Sequence, residues 1–144
     1  MRYEFSLVHC PHDVSAKQHV ETYVAIAANP PEGCRPAFAP TDQVDRRDHP
    51  FMLLCERGAP DFRTAVAGVC AEVRERHGIL MNDLGIRHLW EWYDTETEDG
   101  YGAASVLTLA LVALDRATVL GWSTEDFVGF VRQAAGGSNL EPRV

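Results

Sequence analysis

The sequence predicts an α+β domain: a small, mostly antiparallel sheet of three to four strands covered by about four helices. Three observations carry that reading. Short segments with apolar residues at every second position interleave with longer ones whose apolar residues recur every three or four positions, the strand and helix periods. The two kinds are mixed along the chain, with too few strands for a regularly alternating parallel sheet. The chain has 144 residues, 46% apolar and 24% charged, with no repeat and no linker-like stretch, which is the profile of one globular unit. That unit is expected to span residues 1–136, followed by a flexible tail over 137–144.

Residues 2–10 open the sheet, with Tyr3, Phe5, Leu7 and His9 on one face and Arg2, Glu4 and Ser6 on the other. After a turn at Pro11, Ser15 is a suitable N-cap for a helix running to about Ala28, with Val20, Tyr23, Val24 and Ala27 as its apolar stripe. Asn29-Pro30-Pro31 ends it, because proline lacks an amide donor and restricts the residue before it. Residues 29–50 hold Pro30, Pro31, Pro36, Pro40 and Pro50 and few apolar side chains, so they read as a functional loop or as hiding a short strand around Ala37–Ala39.

Phe51–Glu56 is a continuous apolar run, expected to be a strand buried on both faces. Gly58–Asp61 begins a second helix with Pro60 in its first turn. Phe62, Val66, Val69, Cys70 and Val73 form its stripe, and Gly78 closes it. A strand is predicted over Ile86–Tyr93, with a shorter one before it over Ile79–Met81. From Tyr101 to Leu120 the pattern is helical and apolar nearly all round, which places this long helix in the core or at a subunit interface. Ser123 caps a last helix whose Glu125 and Asp126 complement the helix dipole, with Phe127, Val131 and Ala134 facing inward and Gly136-Gly137 at its end.

Charge narrows the partners. Thirteen basic against 21 acidic residues leave a net charge of −8, a field that disfavours nucleic acid and anionic membranes. Lys17 is the only lysine, an arginine bias that GC-rich codon usage accounts for. The apolar run Ala103–Leu114 is too short to span a bilayer, and the charged alternation of Met1–Phe5 is unlike a signal peptide, so a cytoplasmic protein is expected. The cysteines at 10, 34, 55 and 70 include no C-x-x-C pair, which disfavours zinc knuckles and thioredoxin-like redox sites. They are expected to be free thiols, several of them buried.

Four constellations bear on function. His9, Cys10 and His12 form the densest group of metal-competent side chains, with His49 or Asp48 available across the fold. Strand alternation, however, sends His9 and Cys10 to opposite faces, and Pro11 fixes the direction of the turn. Asp94, Glu96 and Glu98 stand in an acidic turn that resembles a calcium loop, but the glycine is one place late and the closing glutamate is absent. Gly100-Tyr101-Gly102 only partly matches a dinucleotide fingerprint and follows four carboxylates that would repel phosphate. Trp90 and Trp92 alternate with Leu89 and Tyr93, a pattern that builds core or lines a contact.

The reading favoured by the sequence is a small acidic binding or accessory protein that regulates or neutralises a protein partner and self-associates through the apolar helix or a sheet edge. Trp90, Trp92, Asp94, Glu96 and Glu98 are its candidate contact residues, and no cofactor, nucleic acid or membrane is expected. The alternative is a small enzyme, with or without a metal, whose pocket gathers Trp90 and Trp92 around His9, His12 and His49 as acid–base groups.

Overall fold

A computed structural model describes residues 1–9, 19–38, 51–85 and 101–136, with backbone only at 101 and 102. Seven elements follow one another: β1 (Arg2–His9), α1 (Val20–Ala28), β2 (Cys34–Pro36), β3 (Phe51–Gly58), α2 (Phe62–His77), α3 (Tyr101–Val119) and α4 (Thr124–Ala134). The sheet order is β1-β3-β2, with β3 antiparallel to both neighbours. Three antiparallel strands and four helices among the described residues make this an α+β fold, as the mixed periodicities predict.

The register sets the layers. Leu7 lies opposite Leu53, Phe5 opposite Cys55 and His9 opposite Phe51, so the odd positions of β1 and β3 share one face. Phe51, Leu53 and Cys55 are buried there, under Tyr23 and Ile26 of α1 and Phe62, Val66, Val69, Cys70 and Val73 of α2. Phe62 also meets Tyr3 and Phe5 ring to ring, at 5.9 and 5.8 Å. Strand β3 is not buried on both faces: Met52 and Leu54 are half-buried and Glu56 is exposed, and the described helices α1 and α2 pack on the opposite side of the sheet.

Beyond α2 the chain returns along the outer edge of β1. The Val8 N–H donates to the Asp83 carbonyl at 2.9 Å, and the Val8 carbonyl accepts from Asn82 N–H at 3.0 Å. Among the described residues the elements thus run in the β-α-β-β-α order of a ferredoxin-like unit, followed by an antiparallel bridge from Asp83 to Val8. Ile79–Met81, expected as a short strand, forms none, and the strand expected over Ile86–Tyr93 lies outside the described residues.

Several boundaries and faces differ from the sequence reading. Helix α1 starts at Val20 behind His19, which makes no side-chain cap, and Ser15 lies outside the described residues. Its buried residues are Tyr23 and Ile26, while Val24 is 45% exposed, so the helix is rotated from the predicted stripe. Strand β2 occupies Cys34–Pro36 and not Ala37–Ala39. Pro60 precedes the first turn of α2, which Asp61 caps by accepting from the Thr64 N–H at 2.8 Å. Gly78 ends α2 with φ of 77°, the left-handed geometry predicted for it.

Candidate functional site

The long apolar helix α3 has two faces. Toward the core, Ala103, Ala104, Leu107 and Leu111 pack against the sheet–helix layer, and Ser105, Thr108 and Ala117 are buried. Two polar contacts fix its rotation: Thr108 Oγ1 accepts from the Leu84 N–H at 3.1 Å, and Asp115 Oδ2 accepts from the Asn82 side chain at 3.3 Å. The outward side carries Val106, Leu109, Ala110, Val112, Ala113, Val119 and Leu120 together with Arg116 and Thr118, all exposed. Val106, Leu109 and Leu120 are 61%, 54% and 64% exposed.

Positions 106, 109, 113, 116 and 120 are spaced three, four, three, four, the repeat of a two-helix seam. Arg116 is the only charged residue in that row. Gly121 (φ 84°) turns the chain, and the Trp122 N–H donates to the Ala117 carbonyl at 2.9 Å, which folds α4 back beside α3. A reciprocal capping box between Ser123 and Asp126 starts α4 as predicted. The predicted inward face of α4 is not covered, however. Phe127 is only half-buried, Val131 and Ala134 are exposed, and no residue of this helix is buried. Trp122, Phe130 and Val131 are exposed apolar side chains of α4 and the turn before it.

The far end of β1 carries the imidazole predicted there. His9 is buried, and its Nδ1 lies 2.7 Å from the Tyr23 hydroxyl. The His19 ring meets His9 edge to face at 5.0 Å, and Tyr23 stacks on Phe51 at 4.6 Å. Sequence spacing did not anticipate His19 or Tyr23 as neighbours of His9. Both are brought there by the return of α1 over the sheet. This stack closes one end of the core and lines neither the sheet groove nor the α2–α3 crevice described below. His12, His49, Cys10, Trp90, Trp92, Asp94, Glu96 and Glu98 lie outside the described residues. Among the described residues no three His, Cys, Asp or Glu side chains converge to hold a metal ion.

Several cavities mark the described surface, one of them an open hollow of about 480 Å³ on α4 beside Trp122, Asp126 and Phe130. A polar groove of about 670 Å³ runs along the open face of the sheet beside Glu4, Ser6, Arg35 and Glu56. An apolar crevice of about 310 Å³ separates α2 from α3, bounded by Val66, Cys70, Leu107 and Leu111 with Arg63 and Arg74 at its rim. Among the described residues no helix is long and apolar enough to cross a membrane. No family model, curated protein or solved structure matches the chain.

Proposed function

We propose that the protein is a binding or accessory protein that works by protein–protein contact, with the outer face of α3 and α4 as its contact surface. The supporting observation is the row Val106, Leu109, Ala113 and Leu120, apolar, exposed and spaced as a helix–helix seam. Its first occupant is a second copy of the chain. The row is nearly symmetric about Ala113, so an antiparallel two-fold pairing sets Val106 of one copy against Leu120 of the other and Leu109 near Arg116, whose long aliphatic stem can pack there while its guanidinium reaches solvent. Ala113, at the centre, is small enough for the two helices to approach closely. The net charge of −8 opposes pairing of two copies over the whole surface, and the near absence of charge along this row offsets that locally.

The experiment is Leu109→Glu, followed by light scattering and thermal unfolding. The reading expects an unchanged fold and loss of the associated species. A variant that unfolds, or an unmodified chain that is already monomeric, would mean that a segment of the same chain covers this face or that nothing does, and either result removes the proposal. The enzymatic alternative draws on the 2.7 Å contact between His9 and Tyr23 as an acid–base pair. It predicts a turnover that His9→Ala abolishes and Leu109→Glu spares.

A further inference from the structure

We propose that Cys34 and Cys55 form a thiol–disulfide exchange site that reacts with low-molecular-weight disulfides and closes into a bond between β2 and β3. The two cysteines are direct partners in the β2–β3 register. The neighbouring backbone bonds define the kind of pair. The Glu56 N–H donates to the Gly33 carbonyl at 2.8 Å, and the Ala37 N–H donates to the Met52 carbonyl at 2.9 Å. Cys34 and Cys55 therefore occupy a non-hydrogen-bonded position, where facing Cα atoms stand roughly 4.5 Å apart. That spacing falls within the roughly 4.4–6.8 Å a disulfide tolerates. The sulfurs are already 2.9 Å apart. Bond formation needs a side-chain movement and no shift of the strands.

The two thiols are chemically unequal. Cys34 is held below the ordinary thiol value of 9.0, chiefly by its hydrogen bond with Cys55 and further by the Arg57 guanidinium, against the opposing effect of burial. Cys55 is pushed well above that value, chiefly by the same contact and then by burial. Cys70, across the core on α2, is pushed up to about 12 by burial, which keeps it protonated and unreactive. Cys34 is buried at the sulfur but sits on a three-residue strand at the edge of the described sheet, where local opening exposes it more readily than Cys55 on the central strand.

The reaction balances as two exchanges. The Cys34 thiolate attacks one sulfur of the small disulfide, whose S–S bond breaks and releases one thiolate, leaving a mixed disulfide on Cys34. That step removes the Cys34 thiolate, the main cause of the raised Cys55 value. Cys55 then gives up its proton and attacks Cys34 Sγ, expelling the second small thiolate. The protein loses two protons and two electrons, and the small disulfide becomes two thiols.

The test exposes the native full-length chain to oxidised glutathione and follows intact mass and proteolytic fragments. The expected product lacks two hydrogens, links Cys34 to Cys55 and reverts with dithiothreitol. Cys55→Ser should accumulate a single glutathione adduct on Cys34, and Cys34→Ser should leave Cys55 unmodified under the same conditions. A bond that involves Cys10 or Cys70, a first adduct on Cys55, an unmodified chain with all four thiols intact, or an adduct that never closes would each overturn the proposal. Should either variant fail to fold, the mass and linkage map of the unmodified chain decide alone.

Discussion

Helices α2 and α4 are both amphipathic, both capped by an aspartate or serine that bonds the first turn, and both follow a short turn, yet one is buried and the other is not. Every residue of the predicted stripe of α2, from Phe62 to Val73, is in the core. Helix α4 has an apolar side of similar chemistry in Phe127, Phe130 and Val131 but buries no residue. The difference lies in what faces each helix. The sheet presents Leu7, Leu53 and Cys55 to α2, whereas α4 has no residue in that core cluster and the outer side of α3 is exposed. Periodicity tells that a face requires cover; it does not tell which molecule supplies it.

Substitutions that break the comparison most sharply lie in the covered layer. Leu53→Ala removes a fully buried side chain and should cost about 2–5 kcal/mol in urea unfolding. Leu109→Ala, on the outer face of α3, should change the stability of the dilute protein by no more than about 0.5 kcal/mol. Equal losses at the two positions would mean that both faces are covered within one chain. Gly33→Ala comes next. Its φ is 78°, and an added Cβ would stand 2.1 Å from the Glu56 carbonyl oxygen, so β2 must leave β3 or distort. The expected cost is on the order of 3 kcal/mol, from left-handed strain and overpacking together.

Tyr23→Phe should cost less, about 1–3 kcal/mol, since it takes the hydroxyl from His9 Nδ1 without opening a large cavity. The smallest effect separates the two caps. Asp61 lies below its ordinary value of 3.8 because it accepts from Thr64, and Asp126 lies below 3.8 because it accepts from Ser123. A depressed carboxylate stabilises the folded state above its unfolded value, and that contribution fades as pH falls below about 4. Helix content should therefore drop modestly between pH 5 and pH 3, and Asp126→Asn should flatten the part contributed by α4. A pH response untouched by that substitution would place the sensitivity elsewhere.

Much of the fold was legible because several elements are governed by local patterns. The alternation of β1, the stripe of α2 with Gly78 behind it, the extent of α3 and the Ser123 cap each follow from residues within a few positions of one another. What was hidden depends on distant partners. Strand β2 is three residues long and contains Pro36, too short for any periodicity, and it is defined by pairing with β3. Twenty residues separate Cys34 from Cys55, so spacing gave no sign that their sulfurs meet. The inward orientation expected for Val131 assumed that an amphipathic helix finds its cover in its own chain. On the candidate site, the sequence pointed to His9 and to an apolar α3 suited to a subunit interface. The rotation of α3, set by Thr108 and Asp115, decided which side of that helix faces out.

The central claim, that the outer face of α3 and α4 joins one copy of the chain to another, is tested most directly by sedimentation equilibrium of the unmodified protein over a wide concentration range. The expected average mass climbs from the 16.0 kDa of one chain toward twice that value, and climbs at lower concentration when salt screens the net negative charge. A mass that stays at 16.0 kDa at every concentration and salt level would contradict it.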